Sequence, residues 1–450
     1  MNGRLRFLPL VLAGLVGAVP AASPGAARAG TVVEATLDNG LRVLLEEDHR
    51  SPVIALQVWY KVGSRNEIPG RSGLSHFLEH MMFKGTSRYG PRVYSRIVEG
   101  LGGQDNALTG RDATTFSVDV AADRIDRILD LEADRMRHLL LDPAEVESER
   151  SVVMEERRTR SEDDPVGALA EAFAATAFTE HPYRIPPIGF MADIEKLGVA
   201  DLRGWYDAYY WPNDAILVAV GDFRAGEMLE KIQTRFGPIA RGPEPPTVTA
   251  VEPEPRGERR VTVRREAQLP VVYVGYPVPN YRSPDAWALE VLSTLLSTGR
   301  ASRLYRQLVY GARLALDAGG DYSLLTVDPD TFTVYVTVLP EKPVEEVERA
   351  LAVEVERLRH ELVSEEELER AKNQLEAGYL FGQDSLHGRA STLGRYERVA
   401  GWRLRDEYIR RVRTVTPADI QTVARRYFVD EHKTTAVLIP SPAAASVRGH

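Results

Sequence analysis

His76, Glu79 and His80 lie within GLSHFLEHMMFKGT, residues 73–86, where apolar residues surround them on both sides. On a helix, positions four apart lie one above the other, so His76 and His80 can offer two imidazole nitrogens to a single ion while Glu79 stands beside them. The order H-x-x-E-H reverses the H-E-x-x-H of many metallohydrolases. Its chemistry suits Zn²⁺, which accepts neutral imidazole and in catalytic sites keeps one position open for water. A carboxylate next to that water can take its proton.

Two histidines do not complete such a site, and a third protein ligand is needed. The segment ESERSVVMEERRTR places Glu149 and Glu156 seven residues apart, on one face of a helix. Composition leaves a second reading open, since a charged surface helix is rich in Glu in any case.

The elements that must position these residues follow from periodicity. TVVEATL, LRVLLEE and IALQVWYKV alternate as strands around turns at Asp38-Asn39-Gly40 and Arg50-Ser51-Pro52. The motif helix follows. Further helices are expected at 91–101, 122–141, 145–160 and 166–178, with a strand at Thr114 to Ala121. Residues 237–257 contain six Pro without helical periodicity, the composition of an extended linker.

The second half repeats the order of the first. Strands are expected at 261–263, 271–276 and 331–339, with helices at 284–297, 300–310, 343–361, 364–381 and 385–399. Ala200-Asp201-Leu202 with Tyr209-Tyr210 matches Ala418-Asp419-Ile420 with Tyr427-Phe428 at a constant offset of 218, which points to a duplicated domain. In that correspondence Glu290, Ser293 and Thr294 take the places of His76, Glu79 and His80, so only the first half can hold the metal. The expected fold class is α+β: two similar domains, each a mostly antiparallel sheet packed with helices, forming half of a clamshell. The expected boundaries are 30–240 for the metal-binding domain, 241–257 for the linker and 258–445 for its counterpart.

Residues 1–29 combine a basic start at Arg4 and Arg6, an apolar run from Phe7 to Val19 and a small-x-small pattern at Ala27-Arg28-Ala29. That is the pattern of a cleaved secretory signal, too short in its apolar core for a membrane span. Its removal takes three Arg away and moves the formal charge from −9 to −12. An acidic chain without a basic run gives no support for nucleic-acid binding. The absence of Cys excludes disulfides and thiolate metal sites. With 44% hydrophobic and 27% charged residues, the mature protein is expected to be an exported soluble protein, in the bacterial periplasm, with no membrane span after signal removal.

Taken together, LSHFLEHMMFKGT, Gly102-Gly103 with Asn106-Ala107, the ER-VV-EE helix and His181-Pro182-Tyr183 resemble the pitrilysin or insulinase family (M16) of zinc metallopeptidases. Within it, the chain is similar to the small bacterial type related to mitochondrial processing peptidase. Glu156 lies 76 positions beyond His80, at the spacing the family uses for its third ligand. The resemblance implies one Zn²⁺ per chain held by His76, His80 and Glu156, with Glu79 as general base and Glu149 orienting a ligand. It implies a metalloendopeptidase acting on peptides or unfolded segments, with Asn106 and Ala107 on an edge strand that receives substrate by strand addition.

Members of the family also place an Arg and a Tyr opposite the zinc from a C-terminal domain. On that pattern Val309 and Leu316 occupy the two positions here. An intact metal half beside a missing donor pair resembles heterodimeric members, and implies a related partner subunit that supplies the pair; a homodimer is the alternative arrangement. The rival reading is a non-catalytic core or assembly subunit of the same fold.

Overall fold

In the computed structural model, which describes residues 31–441, alternating apolar residues form a six-stranded sheet. Its strands are β1 (Val32–Thr36), β2 (Arg42–Glu47), β3 (Val53–Tyr60), β4 (Gln104–Thr109), β5 (Thr114–Ala121) and β6 (Ala215–Gly221), in the order β1-β2-β6-β3-β5-β4. A second sheet holds β7 (Arg259–Glu266), β8 (Val271–Val278), β9 (Ala315–Asp321), β10 (Asp330–Val338) and β11 (Thr434–Ser441), in the order β7-β11-β8-β10-β9. Without β1, the two orders agree strand for strand. Each sheet is antiparallel except at one pair, β2 with β6 and β7 with β11. The edge strand β4 therefore has its counterpart in β9.

The helices of the first half are α1 (Leu74–Met81), α2 (Val93–Gly100), α3 (Ile125–Arg137), α4 (Pro143–Arg157), α5 (Pro165–Ala177), α6 (Met191–Ile194), α7 (Val199–Tyr209) and α8 (Ala225–Phe236). Those of the second are α9 (Ala286–Ser297), α10 (Val344–His360), α11 (Glu365–Gly382), α12 (Leu386–Val399), α13 (Leu404–Thr414) and α14 (Pro417–Tyr427). Residues 240–258 carry neither helix nor strand. The segment read as a secretory signal, 1–29, lies outside the described residues, as do positions 442–445.

The periodicity rules miss α8, β9 and α13. β9 carries Gly319 and Gly320, which break the alternation of a strand, and α13 is mostly charged, with few apolar residues to mark its buried face. The expected helix at 300–310 is a short turn running into a π-helical segment, Tyr305–Gly311.

The two halves exchange helices across their outer faces. Phe173 and Leu169 of α5, from the first half, pack on Val271, Ala436 and Leu438 of the second sheet. Ala390 and Leu393 of α12, from the second half, pack on Leu44, Ala55, Ile216, Val218 and Val220 of the first. This is why every residue of β6 is buried: it is covered on both faces. Two glycines make the contacts close enough. A Cβ on Gly275 of β8 would meet the Phe173 ring at 2.2 Å, and one on Gly394 of α12 would meet Trp59 Nε1 at 2.2 Å. Buried charges complete the lock, as Arg389 of α12 pairs with Asp48 at 2.5 Å and Arg405 with Glu46 at 3.3 Å. Residues 31–441 accordingly form one compact unit.

Candidate metal centre

The helix that carries the motif is fixed at both its start and its buried face. Gly73 enters it with φ +87°, in a position where a Cβ would meet the Ile188 carbonyl oxygen at 2.8 Å. The Glu67 carboxyl then accepts hydrogen bonds from the backbone N–H groups of Gly73 and Ser75, each at 2.8 Å, satisfying donors that a helix start leaves open. Burial pushes the Glu67 carboxyl up to about 7, against those bonds. Leu74, Phe77, Leu78 and Met81 face the core. That register turns His76 and His80 together onto α4, their ring centroids 4.7 Å apart.

α4 begins at Asp142, whose side chain accepts from the N–H groups of Ala144 and Glu145, with Pro143 in the first turn. Val146 and Val153 bury one face, which also carries Glu149. Glu156, two turns beyond Glu149, brings its Oε2 to 3.3 Å from His80 Nε2 and 3.6 Å from His76 Nε2. These three residues form the one group of potential metal ligands among the described residues, with ligand atoms all within 4.8 Å of one another. The residues read from spacing as ligands thus converge.

Each neighbour has a definable effect. His80 Nδ1 donates to Glu149 Oε1 at 2.8 Å, which leaves Nε2 with its lone pair directed at the cluster. Glu149 is also paired with Lys84. Burial raises the Glu149 carboxyl, but the bonds from His80 and Lys84 outweigh it and hold the group below the usual range. Burial pushes His76 down to about 3, with the charges of His80 and Arg160 adding to the effect, so this imidazole stays neutral. Its Nδ1 is buried without a partner. Burial likewise raises the Glu79 carboxyl, opposed by a 2.6 Å hydrogen bond from Thr109 Oγ1. Two imidazoles and one carboxylate oxygen at these distances fit a tetrahedral zinc with one position left open.

Thr109, at the end of β4, and Glu67 have no signal in the sequence, because both act across contacts that local periodicity does not encode. Asn106 and Ala107 lie on β4, whose outer edge is open, and both line a cleft of about 630 Å³ with Glu79, His80, Phe83 and Lys84. The loop between β4 and β5 is held from both halves. Tyr183 donates to Asp112 at 2.8 Å, the Asp328 N–H donates to Tyr183 Oη at 3.2 Å, and Arg398 donates to the Asp112 carbonyl at 2.8 Å. His181, in the same His-Pro-Tyr stretch, pairs with Asp328 at 3.0 Å and has no metal-binding role in this geometry. Val309 is half-buried against the second core, whereas Leu316, on β9, is 57% exposed. Neither offers a polar donor.

The profile described as Insulinase (Peptidase family M16) matches residues 42–189, and that of the Peptidase M16 inactive domain matches residues 196–375. The zinc protease PqqE of Helicobacter pylori is 33% identical over 409 residues, covering 90% of this chain and 92% of that protein. A probable mitochondrial-processing peptidase subunit beta of Arabidopsis thaliana is 28% identical over 408 residues, covering 88% of this chain and 76% of that protein. The crystal structure of a protease from Helicobacter pylori superposes with a TM-score of 0.88 at 32% identity, covering 92% of this chain and all of that one. The strand orders, the helix pair that brings His76, His80 and Glu156 together, and these likenesses have one explanation: the chain belongs to peptidase family M16, the insulinase family.

Proposed function

We propose that the chain is a zinc-dependent endopeptidase that hydrolyses peptides or unfolded segments within a closed chamber. The observation that carries this reading is the convergence of His76 Nε2, His80 Nε2 and Glu156 Oε2 beside Glu79 and an open edge strand. His76, His80 and Glu156 would hold one zinc. When bound, zinc supplies Lewis-acid polarisation and brings the pKa of its water to about 7.

The protein's own groups do the rest. Glu79, held by Thr109, takes the proton of the attacking water at its carboxyl oxygen, and its raised proton affinity suits it to return that proton to the leaving amine. Glu149 keeps the His80 ring in one orientation. β4 receives the substrate backbone as an added strand near Asn106 and Ala107, so affinity comes from the main chain with little demand on sequence.

Val309 and Leu316 place no donors opposite this site, so a related subunit carrying an Arg and a Tyr completes it, and the name of the Arabidopsis relative, a subunit, accords with that. The basic and apolar pattern of residues 1–29 supports a periplasmic location. A fluorogenic peptide assay of the purified chain, alone and with the product of a neighbouring gene encoding such a partner, tests the reading. Activity that appears only in the mixture and is abolished by chelation supports it. Full activity of the isolated monomer would refute the shared site, and a zinc-free, inert mixture would favour the assembly-subunit reading.

A further inference from the structure

The second half contains a cavity of about 500 Å³ between α9 and α11, at the place that the metal centre occupies in the first half. Two registers establish this. Val291, Leu292 and Leu295 of α9 are buried as Phe77, Leu78 and Met81 of α1 are, and this alignment puts Glu290 and Thr294 at the positions of His76 and His80. On α11, Gly378 stands as far beyond the N-cap Ser364 as Glu156 stands beyond the N-cap Asp142 on α4. Glu290, Thr294 and Gly378 all line the cavity.

Its chemistry differs from that of the first. Tyr408 Oη donates to Glu290 Oε1 at 2.8 Å, and the Tyr408 ring stacks on Tyr379 with centroids 5.3 Å apart. Tyr396 and Tyr322 add further aromatic wall. Burial pushes the Glu290 carboxyl up to about 7; the Tyr408 bond opposes this and the charge of Asp321 adds to it, with no cation offsetting either. Arg395 also lines the cavity, on an exposed rim position. A shielded carboxyl without a cationic partner is costly, and a cation seated beside it removes that cost. Gly378 sits in the interior of a long helix, where glycine is unfavourable, and a Cβ there would meet nothing within 4 Å. The helix thereby leaves the cavity open at the position where α4 projects Glu156.

We propose that this cavity binds the ammonium end of a small alkylamine, with Glu290 as its anionic partner and the tyrosine rings as its walls. The volume lies within the range of small-molecule pockets. The ammonium can belong to a free diamine or to a lysine side chain of a peptide, and the two are separable. Calorimetric titration of the full chain with cadaverine, with Nα-acetyl-lysine methylamide and with pentanol provides the test. Saturable binding of at least one amine and none of pentanol is expected, and which amine binds identifies the source. Glu290→Gln, which can still accept the Tyr408 bond, should weaken binding at least tenfold. Gly378→Leu, which fills open space from within a helix, should do the same while melting no lower than the unmodified chain. Failure of both amines to bind, or equal binding to the unmodified chain and both variants, overturns the proposal.

Discussion

Apart from β1, the two halves hold the same pair of helices over the same strand order, yet one pair gathers His76, His80 and Glu156 while the other gathers Glu290, Thr294 and Gly378. The apolar positions that seat the helices are equivalent: Phe77, Leu78 and Met81 on one side, Val291, Leu292 and Leu295 on the other. The scaffold is therefore set by residues that exclude water, and the chemistry by a few polar positions on the opposite helix face. Changing those positions alters what a pocket takes without altering the fold that makes it.

The two helix pairs should differ most at the metal ligands. His76→Ala should leave the chain without stoichiometric zinc by elemental analysis, whereas Glu290→Gln should leave its zinc content unchanged; equal loss in both would merge the two pockets into one function. The next effect concerns the exchange of helices that fastens the halves together. Arg389→Met leaves Asp48 and Glu46 buried with one cation fewer, and should lower unfolding stability by about 3–5 kcal/mol in urea. Glu149→Gln keeps the shape of the group that orients His80 but not its charge, and competition with a chelator should show zinc affinity reduced about 10–100-fold; an unchanged affinity would remove Glu149 from the site.

The smallest effect lies at the loop contact between the halves. Burial raises the Asp328 carboxyl, but bonds from His181 and Arg65 prevail and bring it down to about 2 from an ordinary 3.8. A carboxyl depressed on folding contributes stability above its unfolded pKa and loses it as pH falls through the folded one. Between pH 5 and pH 2 the chain should therefore lose about 1–2 kcal/mol that Asp328→Asn does not lose over the same range. Parallel urea titrations at the two pH limits would detect the difference, and identical slopes would show that Asp328 is not coupled to folding.

Much of the metal site is legible in the sequence because its geometry is local. His76 and His80 share a face by helical spacing, and Glu149 and Glu156 do the same on α4. The pairing of those two faces comes from the family spacing, not from periodicity. What stays hidden acts over long range: the Thr109 bond to Glu79, the Glu67 carboxyl at the start of α1, and the Tyr183 contacts to Asp112 and Asp328. Apolar patterning shows that α5 and α12 bury one face each. It does not show that each covers the sheet of the opposite half, since a pattern records burial and not the partner. Glu290 was likewise visible as the residue in the place of His76, whereas the cavity around it depends on tyrosines from α11, α12 and α13.

The proposed role of Glu79 is that of base in a zinc site whose three ligands all come from the first half. Glu79→Gln, assayed with the partner subunit and with zinc measured in the same sample, tests it most directly. One zinc per chain, as in the unmodified protein, and peptidase activity reduced by about 10²–10⁴-fold are expected. Undiminished activity with zinc retained would contradict it.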